Sequence, residues 1–144
     1  MIVRSILNAK SSNDVTTTVA DLTVGDAAKL LNEKRIGALL VVEGGNNIIG
    51  ILSERDIVRG MALHGTKVET LKVRDLMTSS VLVCSPEDSL DKLMGIMTNN
   101  RIRHLPVVDQ GKLAGMITIG DVVKSRLEET TMQVDQLREY VAGR

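Results

Sequence analysis

Gly50-Ile51-Leu52-Ser53-Glu54-Arg55-Asp56-Ile57-Val58 and Gly115-Met116-Ile117-Thr118-Ile119-Gly120-Asp121-Val122-Val123 are two copies of one pattern. Each is a glycine, two aliphatic residues, a hydroxyl residue, two variable positions, an aspartate and two more aliphatic residues. Gly50 and Gly115, Ser53 and Thr118, and Asp56 and Asp121 all lie 65 residues apart. The flanking aliphatic pairs make each copy a buried strand running into a helix N-terminus. A pattern that returns at fixed spacing indicates one folding unit used twice, so this stretch decides the fold.

The hydroxyl–x–x–aspartate unit has two readings. It resembles a capping box, in which the hydroxyl accepts from the backbone N–H three residues on and the acid reaches back to the cap amide. The same helix end also carries free N–H groups and a positive dipole end, which suit a phosphate. An aspartate in that first turn repels a phosphate but accepts hydrogen bonds from a pair of sugar hydroxyls. A helix end offering both groups suits a nucleotide.

Outward from the motif, the repetition covers most of the chain. Val3-Arg4-Ser5-Ile6-Leu7-Asn8 resembles Val73-Arg74-Asp75-Leu76-Met77-Thr78 at an offset of 70, which drops to 66 by the next element. Four extra residues therefore sit in the first copy, within Ala9–Asp14, a polar loop. The β-branched Val15–Val19 reads as a short strand, matched by Val81–Cys84. Thr23-Val24-Gly25-Asp26 is a capped helix start, followed by Ala27, Ala28 and Leu31 at helical spacing. Its counterpart opens on Pro86-Glu87-Asp88, a helix-starting proline with acids, and continues through Leu90, Leu93, Met94 and Met97. The methionines read as core filling.

Ile36–Val42 and Ile102–Val108 are buried strands. The turns Glu43–Asn47 and Asp109–Lys112 return the chain into Ile48–Leu52 and Leu113–Ile117. The motif then starts helices at Glu54–Leu63 and from Ile119 onward. The expected fold is mixed α/β (α+β): two β-α-β-β-α repeats packed with pseudo-twofold symmetry, plus a C-terminal amphipathic helix. The repeats span residues 1–64 and 73–127, with 65–72 as linker and 128–144 as a helical extension. In that extension Leu127, Thr131 or Met132, Val134, Leu137 and Val141 form an apolar stripe that needs burial.

Composition narrows the function. The chain has 144 residues, enough for a real core, and its 18 basic and 18 acidic residues cancel. Nucleic-acid or membrane attraction has no electrostatic footing, and no apolar run approaches the about 20 residues of a membrane span. Met1–Ser5 lacks the apolar core of a signal peptide, and the single cysteine forms no internal disulfide, so a cytoplasmic location is expected. Tyr140 is the only aromatic residue. An adenine base would therefore lie between aliphatic walls and backbone, and single-stranded nucleic acid lacks stacking platforms. Cys84 reads as a small buried apolar residue. His64 and His104 have no partner acid at a fixed spacing for catalysis, and a four-ligand zinc site lacks ligands.

Jointly, Val73–Thr78, Arg101-Ile102-Arg103-His104-Leu105-Pro106-Val107-Val108-Asp109, Gly115–Val122 and Ser53–Val58 resemble a tandem pair of cystathionine-β-synthase (CBS) domains, or Bateman module, to about Leu127. The resemblance implies a non-enzymatic regulatory module whose two clefts bind adenine nucleotides (AMP, ADP, ATP or NAD). It also implies that two modules pair as a homodimer. Asp56 with Ser53, and Asp121 with Thr118, would meet ribose and phosphate. For the Asp121 cleft the base would lie by Thr16 and Thr17, lined by Ile36, Gly37 and Ala38. For the Asp56 cleft it would lie by Val81 and Leu82, with Ile102. Arg103 and His104 stand where the family often places phosphate-facing basic residues, and Arg55 sits in the other motif. The first half has Gly37 and Ala38 in place of Arg103 and His104, so the clefts are expected to be unequal, the one fed by Arg103 favouring more phosphate. A ligand sensor signalling to a separate effector protein is the favoured reading. A ligand-free dimerisation scaffold is the alternative.

Overall fold

The computed structural model describes residues 1–143. In chain order the elements are α1 (Val3–Ala9), β1 (Thr17–Thr18), α2 (Val24–Lys34), β2 (Ala38–Glu43), β3 (Asn47–Ser53), α3 (Glu54–His64), a 3₁₀ turn (Gly65–Thr70), α4 (Val73–Leu76), α5 (Leu90–Asn100), β4 (His104–Asp109), β5 (Lys112–Thr118) and α6 (Ile119–Ala142). The mixed α/β class and the C-terminal helix expected from the sequence are present.

The repeats share fine detail. β2–β3 and β4–β5 are antiparallel hairpins whose register shifts at Val41/Val42 and at Val107/Val108, equivalent positions. α2 and α5 both end on an arginine in the left-handed region, Arg35 at φ 54° and Arg101 at φ 53°, whose amides cap the last turn. α2 starts as expected, with Thr23 accepting from the Asp26 amide at 3.2 Å.

Two expectations need correction. The strand expected over Val81–Cys84 is reduced to a single bridge between Cys84 and Val107, whereas β1 pairs in parallel with β2. The reason lies in β4. Leu40 donates its amide to the Thr16 carbonyl, but the equivalent residue, Pro106, has no N–H to donate. The second correction concerns Pro86, which does not open α5. Asp88 accepts from the Ser85 amide at 2.8 Å, closing a turn around the proline, and Ser89 is the cap, accepting from the Lys92 amide at 3.1 Å.

The sequence repeats and the compact units do not coincide. One unit combines residues 1–13 with 83–144, the other holds residues 14–82. In the first, Val3, Ile6 and Leu7 of α1 join Leu90, Leu93, Met97, Leu105 and Ile117 in one core. In the second, Val73 of α4 joins Ala27, Leu31, Leu39, Val41 and Leu52, with Leu76 and Met77 packed against them. The opening segment of each repeat is thus built into the other repeat's core. The motif glycine makes room for it: a Cβ on Gly115 would lie 2.8 Å from a Leu7 methyl, and one on Gly50 would lie 2.5 Å from the Met77 sulfur. Leu7 and Met77 are themselves equivalent positions, so the exchange is reciprocal.

α6 is one continuous helix of 24 residues, about 36 Å at 1.5 Å per residue. Its first half packs through Val122 and Ser125. Further on, Leu127, Met132, Val134, Leu137 and Val141 are exposed.

Candidate functional site

In both copies the last residue of a hairpin strand is also the cap of the following helix. Ser53 ends β3 and caps α3; Thr118 ends β5 and caps α6. Both form complete capping boxes. The Ser53 amide donates to Asp56 Oδ2 at 2.8 Å while the Asp56 amide donates to Ser53 Oγ at 3.3 Å. The Thr118 amide donates to Asp121 Oδ2 at 2.9 Å while the Asp121 amide donates to Thr118 Oγ1 at 3.2 Å. The Ser53 hydroxyl adds a third bond to Asp56 Oδ2 at 3.1 Å.

A further amide at each helix end is also used. Glu54 N–H donates to the Gly37 carbonyl at 3.0 Å, and Ile119 N–H to the Arg103 carbonyl at 2.9 Å. Of the four amides that a helix start leaves without an intrahelical partner, three are therefore engaged in each copy. The helix end is mostly closed to a phosphate, and the fixed carboxylate becomes the principal polar group of each copy.

The surroundings of the two carboxylates differ. Asp56 is nearly buried, with 7% side-chain exposure, and Arg59 Nη1 from the next turn lies 3.4 Å from its Oδ1. Asp121 is 22% exposed, and Lys10 Nζ lies 3.0 Å from its Oδ2. Burial opposes ionisation of Asp121, but the Thr118 amide and the Lys10 ammonium outweigh it and hold the carboxyl below its ordinary range. Lys10 also donates to the Met116 carbonyl at 3.0 Å. Sequence reasoning placed Lys10 in a polar loop and assigned it nothing. The signal available was its place in Ala9–Asp14, the loop that holds the first repeat's four extra residues.

The remaining expected site residues divide between the two compact units. Thr16, Thr17, Ile36, Gly37, Ala38, Val81 and Leu82 belong to the unit of Ser53, Arg55 and Asp56. Within it, Ala38 lies across the ladder from Ser53, and Thr17 pairs with Leu40. Ile102, Arg103 and His104 belong to the unit of Thr118 and Asp121, where His104 lies across the ladder from Thr118. In register, a histidine faces one cap residue where an alanine faces the other.

Cys84 is buried, and its thiol is pushed up to about 11 by burial, with the Asp88 charge adding to the effect. Such a thiol stays protonated near neutral pH and makes a poor nucleophile. Among the described residues, no group of three or more His, Cys, Asp and Glu is placed to hold a metal ion. No helix among them is long and apolar enough to cross a membrane.

With this geometry in place, the comparisons with known proteins are direct. Residues 3–63 and 73–128 each match the CBS domain. The chain belongs to the CBS-domain family and carries two CBS domains in tandem. It is 37% identical over 127 residues to a mitochondrial CBS domain-containing protein of Arabidopsis thaliana, a match that covers 85% of this chain and 62% of that protein. Among solved structures it is similar to a CBS-domain protein of Burkholderia ambifaria, with 45% identity and a TM-score of 0.84, covering 89% of this chain and 95% of that one. It is also similar, at 26% identity and a TM-score of 0.75, to a CBS domain pair in complex with 5′-methylthioadenosine and S-adenosyl-L-methionine; that match covers 91% of this chain and 98% of the other.

Proposed function

We propose that this CBS pair is a regulatory module that senses an adenosine-containing ligand, AMP, ADP, ATP or NAD, and passes the ligand state to a separate effector protein. The observation that carries this reading is the doubly fixed carboxylate. Asp56 and Asp121 are each held at Oδ2 by their own cap amide. An oriented, acceptor-only group of this kind suits the paired hydroxyls of a ribose. The solved relative bound to two adenosyl compounds supports the ligand class. Arg55 beside Asp56, and Arg103 with His104 near Thr118, are the basic residues assigned to phosphate.

The ligand is expected to stabilise the fold. At a hundred times its dissociation constant a ligand adds about 2.7 kcal/mol, which for a protein of this size raises the melting temperature by several degrees. A thermal-shift series with AMP, ADP, ATP, NAD and S-adenosylmethionine reads this. The absence of a shift at millimolar levels overturns the sensor reading.

Two observations favour a second reading, a dimerisation scaffold. The capping boxes already give both aspartates a structural task, and α6 leaves an apolar stripe exposed. In either reading the stripes on α3 (Val58, Met61, Leu63) and α6 are assigned to a second copy of the chain, forming a homodimer that light scattering at tens of micromolar would detect.

A further inference from the structure

The two aspartates meet different cations at different oxygens. At Asp121 the cation, Lys10, shares Oδ2 with the cap amide. At Asp56 the cation, Arg59, sits at Oδ1 while the cap amide holds Oδ2. Lys10 is 27% exposed and doubly held, by Asp121 and by the Met116 carbonyl, whereas Arg59 is 67% exposed and reaches back along its own helix.

A carboxylate offers two oxygens to its surroundings. When cap and cation converge on Oδ2, as at Asp121, the ion pair does not engage Oδ1. When the cation sits on Oδ1, an incoming hydroxyl competes with it. The Arg59–Asp56 contact is long, at 3.4 Å, and its arginine is exposed, so the competition is modest, yet it acts against the ligand only at Asp56.

We propose that Lys10 is a positioning residue that ties up Oδ2, presents Oδ1, and makes Asp121 the stronger of the two acceptors for a ribose diol. The proposal rests on the nucleotide reading above and deepens it. Lys10 lies in the loop that is longer in the first repeat, and the cation paired with Asp56 is Arg59 rather than a lysine.

The test is calorimetric titration of the full chain carrying Asp56→Asn, which leaves Asp121 as the carboxylate acceptor, with AMP and with 2′-deoxy-AMP. With Lys10 in place, AMP is expected to bind about tenfold more tightly than its deoxy analogue. In Lys10→Met that preference should shrink to about threefold or less, and in Lys10→Arg, which restores a cation, it should return. A melting curve for each variant shows that the fold is intact, and a lost cap or loosened loop would weaken both ligands alike without moving their ratio. AMP binding with no preference in the parent, or with an undiminished preference in Lys10→Met, overturns the role of Lys10 and leaves the nucleotide reading standing. No AMP binding to the unaltered chain or to any variant overturns both.

Discussion

The half of the molecule around Asp121 and the half around Asp56 share a motif and differ in what surrounds it. In both, a strand-ending hydroxyl and an aspartate close a capping box, and a glycine admits the opening segment of the other repeat. Around Asp121, however, a half-buried lysine from an unrepeated segment holds the acid and a histidine faces the cap residue. Around Asp56 an exposed arginine and a buried alanine take those places. The repeated residues fix where a carboxylate stands. The unrepeated ones decide how available it is.

The largest expected effect tests how alike the two cores are. Leu39 and Leu105 are equivalent and fully buried. Truncating either to alanine should cost about 2–5 kcal/mol, and the two losses, read by urea unfolding, should agree within about 1 kcal/mol if packing follows the repeat. A core leucine that tolerates truncation at one position and not the other would break the comparison.

A smaller effect separates the glycines. Gly50→Ala presses on the Met77 sulfur at 2.5 Å and on the Thr78 carbonyl at 3.2 Å, a backbone atom that yields little. Gly115→Ala meets only the end of the Leu7 side chain inside 3 Å. Overpacking typically costs about 1–3 kcal/mol, and Gly50→Ala should be the more costly, by melting temperature. The reverse order would mean that the exchanged segments are held differently from this account.

These elements show what was legible in the sequence. The hairpins, the four longer helices and both caps follow from the aliphatic periodicity and the hydroxyl–aspartate spacing, which are local signals. The exchange of opening segments was not legible, because a stretch such as Val3–Asn8 carries the same pattern whichever core it enters. The missing strand before α5 turns on one absent amide at Pro106, and Pro86 reads as a helix opener until the Ser85–Asp88 turn is seen. Of the candidate site, the motif residues were legible. Lys10 was not, because its partner lies 111 positions away.

The smallest expected effect is on acid stability. Asp88, through the Ser85 amide, and Asp121, against its burial, through the Thr118 amide and Lys10, are both held below the ordinary carboxylate range. A carboxyl whose folded-state pKa is depressed adds stability that is present above its unfolded value, about 3.9, and is lost as pH falls through the folded value. Both residues lie in the Asp121 half. The unaltered chain should therefore lose stability below about pH 4, and the gap between it and Asp121→Asn should narrow there. A gap that stays constant from pH 6 to pH 3, by denaturant unfolding, would mean that the Thr118 amide and Lys10 together do not hold the Asp121 carboxyl below its ordinary range.

The central claim is that Asp56 and Asp121 do more than cap helices, and calorimetric titration of AMP into three proteins tests it: the unaltered chain, Asp56→Asn and Asp121→Asn. Asparagine keeps one side-chain oxygen that can accept from the Ser53 or Thr118 amide, so each variant should melt close to the parent. Its amide nitrogen, however, serves a ribose hydroxyl less well than a carboxylate oxygen. The account predicts that each substitution lowers affinity at its own site at least about tenfold and leaves the other site intact. Unchanged affinity and stoichiometry in both variants would contradict it and leave the two aspartates as helix caps.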